Sequence, residues 1–311
     1  MKKYDLAIID GNNIAHKAFH IHAGLSARII IEGTEVEIRT GISYGMLKHI
    51  SLLKNKFLKD DGKIILVWDK FPSRKLEIYP EYKEARMTKK KSDAPSDFKD
   101  QVKLCQLLVS KSDVNQAYAY SEEADDVVAT LAHRHKKKTV LISSGDKDLS
   151  HLITDDCHKY YRNSKGIDIL MTRERYVKLM GFEPIDFLII QIMMGDAIDS
   201  IPGVVGIGDK TSLSLFEQFT DAEKDFWHRG IMKVPEALEE WLIKRIERKN
   251  KKNNEICLYN RLDYAKMFER NYKLMKLAVN LDNIEFIIGR KDGKRLKQLL
   301  DKYEFATDFG V

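Results

Sequence analysis

The sequence predicts an α/β fold, a mostly parallel central sheet with flanking helices, followed by a mainly helical part. Three observations predict it. Apolar runs of strand length, rich in Ile, Leu and Val and without clean alternation, occur at residues 6–9, 64–68 and 139–143, the pattern of strands buried on both faces. Between them, residues 44–57 carry Met46, Leu47, Ile50, Leu53 and Phe57, and residues 98–109 carry Val102, Leu104, Leu107 and Leu108, both at helical spacing. After Met171 helical segments take over at 173–180, 184–194, 211–219, 235–248 and 259–277. A domain boundary is therefore expected near residue 170, dividing the chain into 1–170 and 171–311. A late strand at 284–288 and a last helix at 294–303 complete the pattern.

The chain has 311 residues, 43% of them hydrophobic and 32% charged, with a formal charge of +6. At roughly 100–200 residues per domain it can bury one large core or two moderate ones, which excludes disorder as its main state. The charge leans toward a polyanion partner. No run approaches the 18 or so apolar residues of a membrane span, and Met1-Lys2-Lys3 leads into Tyr4-Asp5 rather than an apolar signal segment. A soluble cytoplasmic protein is expected. Cys105, Cys157 and Cys257 are an odd number without C-x-x-C spacing, which argues against a disulfide framework or a thiolate zinc site. Two stretches are markedly basic, from Lys83 through Arg86 to Lys89, Lys90 and Lys91, and from Lys244 to Lys252. A solvated face explains such runs unless chemistry elsewhere supports them.

That chemistry begins with aspartates. Each strong strand is followed at once by one: Ile8-Ile9-Asp10, Val67-Trp68-Asp69, and Ser143-Ser144-Gly145-Asp146-Lys147-Asp148. The carboxyl ends of parallel strands share one edge, where ligand sites form. A single aspartate after a strand is an ordinary turn former or helix cap, whereas three strands behaving alike point to a shared site. Glu122-Glu123-Ala124-Asp125-Asp126 opens another helix. First-turn acids complement a helix dipole, yet four within five residues repel unless something positive sits among them. Asp196 and Asp199 follow the apolar helix 184–194 at i, i+3 spacing. An all-oxygen set without His or Cys selects Mg²⁺ or Mn²⁺ over zinc, and two such ions about 4 Å apart activate water and stabilise the leaving oxygen in displacement at phosphorus. The pair His133-x-His135 reads as a solvated helix end.

Ile201-Pro202-Gly203-Val204-Val205-Gly206-Ile207-Gly208-Asp209-Lys210-Thr211 is glycine-rich, but Asp209 separates Gly208 from Lys210 where a Walker A loop requires adjacency. Its spacing suits a helix-hairpin-helix over about 195–219, in which backbone N–H groups and a helix N-terminus face a phosphate. Such a grip positions a duplex without reading its sequence. The alternative is a plain glycine-rich turn.

With these pieces in place the chain resembles the structure-specific 5′-nuclease family of flap endonucleases, bacteriophage 5′-exonucleases and the 5′-nuclease domain of bacterial DNA polymerase I. Its motifs appear in the family's order: Ile9-Asp10-Gly11-Asn12, Val67-Trp68-Asp69, Tyr79-Pro80-Glu81-Tyr82-Lys83, Glu123-Ala124-Asp125-Asp126, Gly145-Asp146-Lys147-Asp148-Leu149, Met194-Gly195-Asp196 and the glycine turn. The resemblance implies a PIN-like sheet domain with a helical arch over about 84–97. It implies one metal group of Asp10, Asp69, Glu123, Asp125 and Asp126 and another of Asp146, Asp148, Asp196 and Asp199. Lys83 and Arg86 would steady the scissile phosphate, Tyr82 would stack on a base, and Lys89, Lys90 and Lys91 would line a phosphate funnel. Gly203, Gly206, Gly208, Lys210 and Thr211 would grip duplex, with K⁺ bound at that loop.

The chain departs from the family in carrying Glu84-Ala85 where Gly-Asn is usual, and Ser200, Val205 and Asp209 where Asn and Pro occur. Asp209 sets a negative charge beside the presumed phosphate grip. The implied activity is Mg²⁺-dependent 5′-3′ exonuclease and flap endonuclease cutting of DNA at single-strand/double-strand junctions, with removal of RNA primers from RNA–DNA hybrids in replication. A stand-alone nuclease, as phages encode, suits this length, and a monomer with a polymerase or single-strand-binding protein as partner is expected. Two rival classes are a PIN-type ribonuclease, against which the glycine turn and basic helical half argue, and a non-catalytic junction-binding protein, against which the complete acid set argues.

Overall fold

The structure, a computed structural model, describes residues 3–84, 97–253, 260–307 and 309–310. Its strands are β1 (Tyr4–Asp10), β2 (Ser26–Ile31), β3 (Thr34–Arg39), β4 (Leu58–Val67), β5 (Asn115–Ala119), β6 (Val140–Ser143), β7 (Cys157–Arg162), β8 (Asp168–Met171), β9 (Gly195–Asp196), β10 (Ile201–Pro202) and β11 (Ile284–Ile287). Seven of them form one sheet in the order β11-β5-β4-β1-β6-β7-β8. The inner pairings are parallel, and the edge pairs β11·β5 and β7·β8 are antiparallel.

The chain divides into two compact units. The first comprises Met1–Ser73, Ser92–Arg175 and Leu277–Val311, and the second Arg74–Lys91 and Tyr176–Lys276. The expected split near residue 170 thus marks only one crossing. Residues 277–311 fall in the first unit rather than the second, because β11 pairs with β5 and the helix Gly293–Lys302 buries Leu296 and Leu299 in the first unit's core.

In the first unit β1 is the axis. Ala7 and Ile9 enter one apolar cluster with the helices Gly41–Lys56 and Phe98–Val109, while Leu6 and Ile8 enter another with the helix Ala124–Arg134. Alternate residues of one strand feeding two cores explain why the run reads as continuously apolar. The helix Gly11–Ile21 starts at Asp10, whose side chain accepts from Asn13 N.

Several elements lie beyond the expectations. The hairpin β2–β3 turns on Glu32 and Gly33 at φ 49° and 80°, the two positive values of a primed two-residue turn. Strand β5, Asn-Gln-Ala-Tyr-Ala, is polar in sequence, yet Gln116 is buried because its Oε1 accepts from Trp68 Nε1 at 2.9 Å and its Nε2 donates to Gln106 O at 3.0 Å. Strand β7 buries His158, whose Nδ1 lies 2.7 Å from Tyr4 Oη, and also Lys159. Buried polar side chains with partners erase the hydrophobic signal of a strand without opposing it.

The second unit is built on Phe187–Met194, which is buried almost all round, as a central helix should be. Asp209–Phe216, Asp221–His228, Glu236–Asn253 and Arg261–Met275 accompany it. Trp227 and Phe268, fully buried with centroids 5.1 Å apart, anchor its aromatic core. Asn271, also fully buried, donates from Nδ2 to Ile192 O at 3.1 Å and Pro202 O at 2.9 Å, tying the helix 261–275 to the glycine-rich segment. No described helix is long and apolar enough to cross a membrane.

Candidate active site

Parallel register brings the strand-end acids of the first unit together. Ile9 pairs with Leu66 and with Ser143, and Asp10 with Val67, so Asp10, Asp69 and the loop 144–148 share one edge. Asp10 is 5% exposed, accepting from Asn13 N at 3.0 Å and Ser144 Oγ at 2.7 Å. Burial, with the charges of Asp69 and Asp146 added, raises its carboxyl to about 6 against the two hydrogen bonds. Ser144 also accepts from Asp146 N at 3.0 Å, and Asp146 Oδ1 accepts from Asp148 N at 2.9 Å. Asp69 Oδ1 accepts from Ala124 N at 2.7 Å, which docks the first turn of the helix 124–134 onto the end of β4. Glu122 and Glu123 are buried there and Asp125 is half-buried.

Asp126 departs from its expected grouping. Fully buried, its Oδ1 accepts from Ala278 N at 2.8 Å, so the carboxylate holds the returning segment after residue 276. The i, i+1 step from Asp125 turns it about 100° round the helix.

Two lysines enter this edge that the sequence reading passed over. Lys159, 3% exposed, donates from Nζ to Ser150 Oγ at 2.9 Å and to the carbonyl of Asp146. Burial brings its ammonium down to about 8, against the charges of Asp146, Asp148 and Asp125. Lys17 is likewise lowered by burial and held up by Asp10 and Asp146. Lys17 was discoverable, since it lies seven residues after Asp10 and so two helical turns along one face. Lys159 had no such signal, because nothing in Cys-His-Lys-Tyr-Tyr marks it as buried.

The second unit holds the remaining expected residues. Asp196 Oδ1 accepts from Ile198 N at 2.8 Å and Asp199 N at 3.3 Å, closing a tight turn. Lys83 Nζ lies 3.7 Å from Asp199 Oδ2, and Lys83 N donates to Asp199 O at 2.9 Å. Lys83 itself sits at φ 57°, a left-handed conformation costing about 1–2 kcal/mol for a residue with a Cβ. Tyr82 corrects an expectation. Its ring is 3% exposed and packs with Ile201 and Leu274, leaving no face for a base, and its hydroxyl lies 3.4 Å from Asp199 Oδ2. Arg86, Lys89, Lys90 and Lys91, with most of the expected arch, lie outside the described residues.

At the glycine turn, Gly208 is the N-cap of the helix Asp209–Phe216, with no side-chain cap bond. Lys210 is exposed and Thr211 half-buried. A Cβ on Gly203 would run into the backbone of Met194 and Gly195. Gly206, at φ 91°, lies under the guanidinium of Arg245.

Among the described residues no three His, Cys, Asp or Glu side chains stand close enough to hold an ion as they are. The donor set is nevertheless all oxygen, and the buried carboxyl of Asp10 is unsettled by two further acids, which is the chemistry a hard cation satisfies.

A model of the 5′-3′ exonuclease N-terminal, resolvase-like domain matches residues 5–181. The chain belongs to the 5′-3′ exonuclease family. Within that family it is 30% identical over 286 residues to a 5′-3′ exonuclease of Buchnera aphidicola from Acyrthosiphon pisum, covering 90% of this chain and 89% of the relative. It is 29% identical over 313 residues to the thermostable DNA polymerase I of Thermus aquaticus, covering 98% of this chain and 33% of that protein. The chain therefore spans about a third of the polymerase. The bacteriophage T5 D15 flap endonuclease, solved as a variant with DNA and metal ions, superposes with a TM-score of 0.60 at 19% identity, covering 96% of this chain and 99% of the other. The catalytic core of Rad2 in complex with DNA substrate gives 0.57 at 17%, covering 99% and 89%. At these identities the solved structures share the fold.

Proposed function

We propose that the chain is a divalent-metal-dependent 5′-3′ exonuclease and flap endonuclease that hydrolyses DNA phosphodiesters at single-strand/double-strand junctions and removes RNA primers. The observation that carries this reading is the convergence of Asp10, Asp69 and Asp146 at one sheet edge, set by the parallel register and by Ser144, which donates to Asp10 and accepts from Asp146 N. Asp10, Asp69, Glu123, Asp125, Asp146 and Asp148 would hold the cation, and the family resemblance adds Asp196 and Asp199 to the proposed ligands. Mg²⁺ or Mn²⁺, two ions in the full proposal, would supply Lewis acidity and lower the pKa of water. The K⁺ expected at the glycine turn belongs to the same proposal.

The chain's own groups prepare the site in three ways. Ser144 and Asn13 fix the Asp10 carboxylate by hydrogen bonds at each oxygen. Lys159 holds the loop 144–150 at its Asp146 carbonyl and at Ser150. Lys83 would neutralise charge developing on the phosphate, exchanging its contact with Asp199 for an oxygen of the substrate.

The test uses a 5′-labelled flap in Mg²⁺. Asp146→Asn combined with Asp148→Asn is expected to lower cutting at least 100-fold while flap binding persists. Undiminished cutting would sink the assignment. Side-by-side digestion of RNA and flap DNA separates this reading from an RNA-specific nuclease.

A further inference from the structure

Beyond the acids, the same edge carries an exposed aromatic group. Lys70 and Phe71 directly follow Asp69, and Tyr120 directly follows β5, the strand next to β4. Trp68 N donates to Ala117 O at 2.9 Å and Lys70 N to Glu122 O at 3.3 Å, so the two strand ends stay together past the ladder. Lys70 Nζ lies 4.2 Å from the centroid of Tyr118 and 5.5 Å from that of Tyr120. Those two rings meet edge to face at 5.4 Å and 83°. Tyr118 Oη donates to Glu285 Oε2 at 2.8 Å and Asn283 Nδ2 to Tyr120 O at 3.1 Å, which braces the pair from the β11 side. Yet Phe71 is 64% exposed and Tyr120 55%. Tyr118 packs against the first unit's core, whereas neither exposed ring belongs to the two apolar clusters described above, so that packing does not account for them.

We propose that Lys70, Tyr118 and Tyr120, with the exposed Phe71 next to Lys70 in sequence, form a stacking platform for an unpaired nucleobase of a single-stranded arm, beside the strand-end acids. This rests on the nuclease reading above. An aromatic face replaces the neighbouring base that an unpaired nucleotide has lost, and it does so for any base. A lysine among the rings adds attraction for the adjoining phosphate and a cation–π contact. The interior of a duplex offers no such base face, which sets the ligand class. Position follows from the sheet: β5 lies two strands from β1, about 10 Å from the Asp10 strand. That is about three base intervals of 3.4 Å. The stacked base is therefore within about three nucleotides of a phosphate held at Asp10.

The test needs no cleavage. A flap carrying 2-aminopurine at successive positions of its 5′ arm is titrated with the full chain in EDTA, beside a nicked duplex lacking the arm. Quenching is expected at one of the first three unpaired positions. It should be lost in Phe71→Ala/Tyr120→Ala, with affinity for the armed substrate about 5- to 150-fold weaker, and restored in Phe71→Trp/Tyr120→Phe. Affinity for the armless duplex changes little. Quenching that survives the double variant, or equal losses on both substrates, overturns the platform. Because binding is read without hydrolysis, loss of all cutting in the wild-type chain would overturn the nuclease reading and leave this result distinct.

Discussion

Tyr82 packs its ring against Ile201 and Leu274 with 3% of its surface exposed. Tyr82→Ala removes a buried aromatic and is expected to cost about 3–5 kcal/mol, read as a shift of the denaturation midpoint, while flap affinity per folded molecule is unchanged. A selective loss of DNA affinity at unchanged stability would instead restore the stacking role. The motif Tyr79-Pro80-Glu81-Tyr82-Lys83 told which residue types were present but not which of them faced inward. Lys159 gives a second residue-scale prediction. Its ammonium is an internal counter-ion to Asp146, Asp148 and Asp125. Lys159→Met should lower the melting temperature in EDTA and recover most of that loss in saturating Mg²⁺, since a cation would then meet the same charges. A loss that Mg²⁺ leaves untouched would mean the lysine matters only through its bonds to Ser150 and the Asp146 carbonyl.

At the scale of elements, the glycine turn separates two residues that look alike in sequence. A Cβ on Gly203 meets only backbone, the carbonyl of Met194 and the amide of Gly195, whereas one on Gly208 meets nothing within 4 Å. Gly203→Ala should therefore destabilise the second unit by about 1–3 kcal/mol or more, and Gly208→Ala by under about 1 kcal/mol. Thermal melts and limited proteolysis compare the two, and equal effects would contradict the packing argument. The parallel core strands and the long amphipathic helices were legible because burial on two faces leaves a dense apolar run. Strands β5 and β7 were not, because Gln116, His158 and Lys159 meet their needs through partners distant in sequence. The hairpin β2–β3 carries a local signal, Glu32-Gly33 ahead of the alternating Thr34–Arg39. At the site, the aspartates announced themselves by position after strands and Lys17 by its two-turn spacing from Asp10, while Lys159 became visible only once β7 was folded against them.

For the molecule as a whole, the acid edge makes stability depend on pH and on cations. The carboxyl of Asp10, at about 6 in the fold against an ordinary 3.8, contributes stability that is fully present below 3.8 and lost as pH rises through 6. Above that the ionised group disfavours the fold by on the order of 3 kcal/mol, a penalty a bound cation would offset. Mg²⁺ should therefore raise the melting temperature of the first unit more at pH 7.5 than at pH 5. Equal shifts at both would contradict this. His49, brought down to about 4 chiefly by burial, works oppositely, its contribution being lost as pH falls from 6.5 through 4. The comparison with EDTA at each pH cancels it.

The return of residues 277–311 to the first unit also orders events during synthesis. The polymerisation of the chain delivers β1, β4, β5 and β6 early, but the outer neighbour of β5 and the apolar cover from Leu296 and Leu299 emerge only after the whole second unit has left the ribosome. Domains that are continuous in sequence fold N-terminal first. Here the second unit can complete itself while the first still waits with an open sheet edge, so nascent chains stalled with residue 276 just clear of the ribosomal exit tunnel should present a folded second unit flanked by an unfinished nuclease unit.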